Sequence, residues 1–219
     1  MSVDAPDVVA DLAPPSPTVA GWRPRTVIAS LVAVLAVVGL VLGFLSASRP
    51  TITSGTIITP GHGITELTDG VETTRWVQTA QRAFVSFTVR NAGDRTVTLT
   101  SALDPLRGPD AMPRQSLGFL ADIPPNGGMP PTLETADPAG LLSSIAVEPG
   151  AEVYVVLKVY FPCVAPLSEL AKSARYGIGD VPVTASVLGR STALDIPLPY
   201  PLEIPRDSSR ECTAELFTP

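Results

Sequence analysis

The sequence predicts a mainly β protein, a β-sandwich that is preceded by one transmembrane α-helix. Two patterns carry this prediction. The nineteen residues from Val27 to Leu45 contain no charged side chain, and a helix of that length crosses the hydrocarbon core of a bilayer. Further along, apolar and polar residues alternate with a period of two between turn residues, which is typical of strands with one buried face.

The composition argues against several classes of protein. Of the 219 residues, 45% are hydrophobic and 16% are charged, and the formal net charge is −6. An acidic chain does not offer the basic surface that nucleic acids require. One His and two distant Cys lack the spacing of a zinc site, and no nucleotide-binding or nucleophile motif is present. We therefore expect no cofactor, no metal site and no nucleic-acid partner.

The predicted transmembrane helix spans residues 26–46. Its backbone amides must pair within the segment, because lipid offers no hydrogen-bond partner. Arg23 and Arg25 precede the helix and Arg49 follows it, a bias that favours an N-terminus in the cytoplasm and a C-terminal domain outside the cytoplasmic membrane. Two alternatives stay open: a secretory signal cleaved near Ser46–Ser48, and a buried helix of a soluble protein.

Small residues recur along the predicted helix. Gly39 and Gly43 form a GxxxG pattern, and Ala29, Ala36 and Gly43 are spaced seven apart. Such a face lets two helices approach closely, which predicts helix-mediated self-association. The alternative is that Ala and Gly are simply frequent in transmembrane helices.

The rest of the chain divides into a short tail and one domain. Residues 1–25 hold five Pro and three Asp with little periodicity, which predicts a disordered cytoplasmic tail. Residues 47–219 are enough for a single extracytoplasmic domain.

Several segments of the domain alternate strongly enough to predict strands. The clearest pair runs from Ala83 to Arg90 and from Arg95 to Thr100, joined by Asn91–Asp94, and it predicts a β-hairpin. A second predicted pair, Val181–Leu188 and Ala193–Leu198, meets at Gly189-Arg190. The other predicted elements are strands at Thr51–Thr59, Val71–Thr79 and Glu152–Tyr160, and a helical turn or two within Leu167–Arg175. About seven short strands of this kind favour a β-sandwich, with Trp76, Phe84, Phe87 and Leu157 in its core.

Two segments carry a resemblance to a known group of domains. Phe84 to Thr100 reads FVSFTVRNAGDRTVTLT, and Val147-Glu148-Pro149-Gly150 precedes an alternating strand. Both resemble bacterial immunoglobulin-like accessory domains. The resemblance implies an immunoglobulin-like β-sandwich and no particular activity. The sequence departs from antibody-type domains in that Trp76 precedes both cysteines.

A long Pro- and Gly-rich segment, residues 101–144, separates two of the predicted strands. It holds eight Pro and five Gly in 44 residues, and connections of that length are usually functional or disordered. Its apolar residues are Leu117, Phe119, Leu120 and Met129. They mark a candidate partner-binding loop, whereas the alternative is a loop that packs over the open face of the sandwich.

The two cysteines, Cys163 and Cys212, predict a disulfide bond, since thiols outside the cytoplasmic membrane are readily oxidised. The bond would tie the C-terminal tail to the end of a strand. A reactive pair is the alternative, although catalytic dithiols usually lie two residues apart. The single His62 lies between two glycines, which predicts an exposed turn.

These observations predict a membrane-anchored, extracytoplasmic binding or scaffolding module of the bacterial cell envelope that is not an enzyme. Its expected partners are the lipid bilayer and another envelope protein. The alternative is an envelope hydrolase or ligand carrier whose site forms only in the folded chain.

Overall fold

A computed structural model of the chain describes residues 24–69, 73–103, 113–121, 130, 133–135, 138–170 and 173–207. The described chain consists of one N-terminal helix and a mainly β domain with two sheets. Met129, Cys212 and nearly all of the predicted tail lie outside these residues. The helix belongs to one compact unit, Met1–Ser46, and the strands to another, Ala47–Pro219, and each is described by itself.

Helix α1 spans Pro24–Ala47. It begins at a proline, whose missing N–H costs nothing in the first turn of a helix. Within it, Ile28–Ser46 has a mean hydropathy of 2.8 and no buried residue. Its leucines and valines are therefore exposed all around the helix, which is the surface that a bilayer accommodates.

The sandwich contains ten strands among the described residues. They are β1 (Ile52–Pro60), β2 (Ile64–Asp69), β3 (Thr73–Gln78), β4 (Arg82–Asn91), β5 (Val97–Ser101), β6 (Arg114–Leu120), β7 (Ser144–Val147), β8 (Glu152–Tyr160), β9 (Ala174–Val187) and β10 (Arg190–Arg206). One sheet has the order β1-β4-β8-β6 and is antiparallel throughout. The other has the order β2-β3-β10-β9-β5-β7, in which β3 and β10 run parallel. The predicted mainly β sandwich with one helix is confirmed.

The main core is built by alternate residues of strands from both sheets. β4 and β8 supply every second residue, and β9, β10 and β5 face them from the other sheet. Because strand side chains alternate between faces, one run of period two is enough to build such a layer. Its fully or almost fully buried members include Val85, Phe87, Val89, Leu99, Phe119, Val153, Val155, Leu157, Val181, Val183, Leu202 and Ile204.

The predicted β4–β5 hairpin is wrong, although both strands exist. β4 pairs with β1 and β8, whereas β5 pairs with β7 and β9 in the other sheet. The connection is therefore an arch that crosses between sheets. The buried Asn91 holds it: Asn91 Nδ2 donates to the carbonyl oxygens of Arg95 (2.7 Å) and Val147 (2.9 Å), and Asn91 Oδ1 accepts from Gly93 N (3.0 Å).

The β9–β10 hairpin is confirmed, with a shift of one residue at its tip. Leu188 and Gly189 form the tip, with φ values of 51° and 77°, and two consecutive positive φ values are the signature of a type I′ turn. The predicted helical region reduces to a 3-10 turn at Leu167–Glu169, after which β9 begins.

Candidate functional site

A second apolar cluster lies on the outer face of the four-stranded sheet. Phe84 on β4 and Tyr154 and Val156 on β8 point away from the main core, and each is at most 1% exposed. Ser86 and Thr88 share this face of β4 and are also buried. β4 and β8 are thus covered on both faces, which explains why β8 reads as a nearly continuous apolar run. The prediction that Phe84 belongs to the main core is wrong, because it lies one residue out of phase with Val85 and Phe87.

Leucines from the segment between β6 and β7 cover this cluster. Leu133 is 1% exposed and packs against Phe84, Tyr154 and Val156, with Leu120 and Leu141 partly buried beside it. These residues therefore fit the alternative interpretation of the long segment, in which it packs over the open face of the sandwich. We call the five residues Phe84, Leu133, Leu141, Tyr154 and Val156 the outer cluster.

Gly118 makes room for the cover. A Cβ atom at Gly118 would lie 2.6 Å from Leu141 Cβ, which is too short for two carbon atoms that are not bonded to each other. Next to it, the backbones of Phe119 and Leu142 exchange two hydrogen bonds of 2.9 Å, which attach the covering segment to β6. The side chain of Leu141 therefore rests directly on the backbone of the edge strand.

β1 is the edge strand on the other side of this sheet, next to β4. The register of β1 shifts between Ser54 and Ile58, and the irregular stretch is held by the sheet beneath it. Thr88 Oγ1 accepts a hydrogen bond from Ile57 N (3.0 Å), and Ser86 Oγ donates to Thr59 O (3.3 Å). Both hydroxyl groups are buried, and neither is left without a hydrogen bond, because each is paired with the backbone of β1.

Tyr154 is an ionisable residue of the outer cluster whose surroundings are largely apolar. Burial raises the pKa of its phenol above the ordinary value, and the nearby Glu152 carboxylate raises it further. The neutral phenol is thus the form that the outer cluster accepts, which is what an apolar surrounding favours.

The structure corrects the interpretation of the candidate partner-binding loop. Residues 114–120 form β6 rather than part of one long loop. Leu117 (7% exposed) and Phe119 (0%) face the main core, so neither side chain is accessible to a partner. Leu120 packs against the outer cluster, and Met129 lies outside the described residues. The residues that the sequence interpretation missed are Leu133 and Leu141, which belong to no regular pattern.

A charged cluster lies across β3, β10 and β9. Glu203 accepts hydrogen bonds from Arg75 Nη1 (3.4 Å) and Arg175 Nη1 (2.9 Å), and all three side chains are about one fifth to one third exposed. Arg175 Nη2 also donates to Leu170 O at 3.1 Å. This arrangement ties the 3-10 turn to the sheet, and pairs this exposed each contribute about 0–1 kcal/mol to stability.

The other predicted residues are only partly tested. Nothing lies within 4 Å of the positions where a Cβ would stand on Gly39 and Gly43, so their role in helix packing, with Ala29 and Ala36, stays a prediction. Cys163 is fully buried, and Asp207 N donates to its carbonyl oxygen at 2.8 Å. No free cysteine occurs in the described part of the chain. The bond to Cys212 stays a prediction because Cys212 is not described.

His62 is exposed in the turn between β1 and β2, as predicted, and its backbone oxygen accepts a hydrogen bond from Phe84 N at 3.2 Å. No group of three or more metal-ligating side chains is found within the described ranges.

Comparisons with known proteins add little. The sequence matches no protein-family model and no curated protein. Among solved structures it is similar to the chain described as the apo PmoF2 PCuAC domain, at 15% identity, over 69% of this chain and 95% of that chain, with a TM-score of 0.26. A superposition this loose carries no argument about fold or function.

Proposed function

We propose that the chain is a membrane-anchored, extracytoplasmic binding or scaffolding module of the bacterial cell envelope, built on an immunoglobulin-like sandwich, and that it is not an enzyme. The observation that carries the proposal is helix α1. Ile28–Ser46 carries no charged side chain, has a mean hydropathy of 2.8 and has no buried residue. Burying a single large apolar side chain is worth about 1.5–3 kcal/mol, so this surface is far more stable in lipid than in water.

A retained anchor is favoured over a cleaved signal by the length of the helix. α1 continues through Ala47, and the apolar run of nineteen residues exceeds the 7–15 residues of a typical signal core. Retention of α1 would keep the sandwich at the membrane surface. Two arginines before α1 against one after it favour an N-terminus in the cytoplasm and a sandwich outside.

A binding role is favoured over an enzymatic role by the way the sandwich is filled. Apolar side chains occupy the main core, and a second set covers the outer face of the four-stranded sheet. The charged side chains of Arg75 and Arg175 pair with Glu203. A sandwich of this kind offers edges and loops to another protein, and we propose another envelope protein as its partner.

The anchor and its orientation can be tested on the full chain in cells. We expect the intact, uncleaved protein to stay in the membrane fraction after alkaline carbonate extraction. Protease added outside the cytoplasmic membrane should digest the sandwich and spare an N-terminal epitope. A mature N-terminus near Thr51, or intact chain in the cytosol, would contradict the anchor.

A matched pair of variants sharpens this test. Leu35→Arg places a charge in the middle of α1, where it costs about 2.5–3.5 kcal/mol on the insertion scale, and we expect it to lower the membrane-integrated fraction strongly. Leu142→Arg places the same charge on an exposed leucine of the sandwich, which is 48% exposed. It should leave integration unchanged.

A further inference from the structure

The register of the strands gathers several turns at one end of the sandwich. Thr51 O accepts from Ala92 N (2.9 Å), just before β1 begins opposite Asn91. The arch 92–96 and the turn 148–150 meet there, because Gly150 N donates to Asn91 O at 2.8 Å. β5 leaves the arch paired with the last residues of β9, which brings the tip 188–189 to the same end. We call this the proximal end.

Leu188 is an unusual residue for the position it occupies. Its φ of 51° is the only positive φ of a non-glycine residue in the described chain, and a side chain with a Cβ is crowded in this region. Asn, Asp and Gly are the residues that suit a type I′ turn. In addition, Leu188 is 52% exposed. An apolar side chain that suits neither the turn nor the water around it is a candidate for a contact outside the domain.

The connection between α1 and the proximal end is short in sequence. Helix α1 ends at Ala47, and residues 48–50 connect it to Thr51. A chain extends by at most about 3.6 Å per residue, so this connection can span roughly 14 Å and no more. The headgroup layer on one side of a bilayer is about 5–7 Å thick. This step rests on the proposed function, in which α1 crosses the membrane.

The charges of the proximal end suit a lipid surface better than those of the whole chain. With Arg49, which lies two residues before Thr51, four arginines and three carboxylates belong to this end in the described residues, a net charge of +1, whereas the whole chain carries −6. They are Arg49, Arg90, Arg95, Arg190, Asp94, Glu148 and Glu152. The excess negative charge, which anionic lipids would repel, therefore lies elsewhere in the chain.

We propose that the proximal end rests on the outer surface of the bilayer and that the side chain of Leu188 enters its interfacial layer. Arg95 and Arg190, which are both exposed, flank this contact with guanidinium groups that bind lipid phosphates. The contact adds a second point of attachment to α1 and holds the sandwich in one orientation. The remaining loops and the opposite end then face the partner.

The test compares three exposed leucines in the full-length chain. Leu35 in α1 is 62% exposed, Leu188 is 52% exposed and Leu167 is 44% exposed. Leu167 lies near the opposite end, because Val164 bridges to Arg206 at the end of β10, and the fourteen residues of β9 separate the two ends by about 40 Å. Benzoylphenylalanine is introduced at each position, one at a time.

The three proteins are reconstituted in vesicles of phosphatidylcholine and phosphatidylglycerol, irradiated, and analysed for lipid adducts by mass spectrometry. We expect adducts at residues 35 and 188, with at least tenfold more at 188 than at 167. Equal melting temperatures of the three proteins show that the probe at each position leaves the sandwich folded.

Each outcome separates the two proposals. Lipid adducts at 35 with no excess at 188 over 167 overturn the contact and leave the anchor in place. Absence of adducts at both 35 and 188 overturns the anchor itself. If residue 188 crosslinks to a protein rather than to lipid when native membranes are irradiated, the proximal end is a protein interface and the lipid contact is wrong.

Discussion

The main core and the outer cluster use similar side chains but are built in different ways. The main core collects alternate residues of strands from both sheets, and each of the strands β4 to β10 contributes two or more members. The outer cluster takes residues of β4 and β8 and covers them with Leu133 and Leu141, which lie outside the strands. Periodic strands thus build the main core by themselves, whereas the outer cluster forms only when an irregular segment packs onto the face of the sheet.

The largest expected effect comes from the main core. Phe119→Ala removes a ring with no exposed surface, and such a change costs about 3–5 kcal/mol because the cavity cannot collapse fully. Urea denaturation of the detergent-solubilised chain, followed by the fluorescence of the buried Trp76, measures the loss. Leu142→Ala, on the exposed neighbour in the covering segment, is the control and should change stability by less than about 0.5 kcal/mol.

In the outer cluster we expect a smaller effect. Leu133→Ala removes a buried side chain, but the irregular segment around it can move inward, so the loss falls near the lower end of the range of about 2–5 kcal/mol. Hydrogen exchange should rise at Leu142 and Phe119, whose amides join the cover to β6, before it rises in β9. A loss equal to that of Phe119→Ala, with uniform exchange, would show that the two layers are one cooperative unit.

Gly118 tests how closely the cover rests on the sheet. Gly118→Ala places a methyl group against Leu141 and should cost about 1–3 kcal/mol through overpacking. Because Leu141→Ala removes the opposing side chain, the double variant should be less destabilised than the sum of the two single variants. Strict additivity in the denaturation free energies would mean that the two residues are not in contact.

The smallest effect concerns pH. The pKa of Tyr154 is raised in the folded chain, so its contribution is fully present below the unfolded pKa of about 10 and is lost as the pH rises through the folded value. Below pH 9 we expect Tyr154→Phe to show a constant difference from the original chain. Above pH 10 the original chain should lose stability more steeply than the variant, and parallel curves would contradict the assignment.

The sequence predicts those parts of the fold that depend on local patterns. α1, β4, β8 and the β9–β10 hairpin all follow from hydrophobic runs or alternation, and these predictions hold. The β4–β5 hairpin fails because Asn91–Asp94 suits an arch as well as a hairpin, and the choice is made by β1 and β8, which lie far away in sequence. β2, β6 and β7 were not predicted, since they are short or carry irregular patterns.

The candidate site was less predictable than the fold. The prolines and glycines on both sides of Leu117 and Phe119 favour a loop, although both residues lie in a seven-residue strand. Leu133 and Leu141 gave no signal, because what buries them is Phe84, Tyr154 and Val156, contributed by two strands that are distant in sequence from each other. The sole local hint was Gly118, an isolated glycine within an apolar run, which marks a close approach.

The position of β10 in the six-stranded sheet governs when this domain can fold. β10 comes after all the other described strands in sequence, yet it lies between β3 and β9 and joins them. Until residues near 206 are available, β2 and β3 have no sheet to join. The six-stranded sheet therefore completes its folding only once β10 is available, and its many long-range pairings make that step slow compared with helix formation. The proposed N-terminal anchor suits this order of events, because it would hold the unfinished chain in one place until β10 pairs.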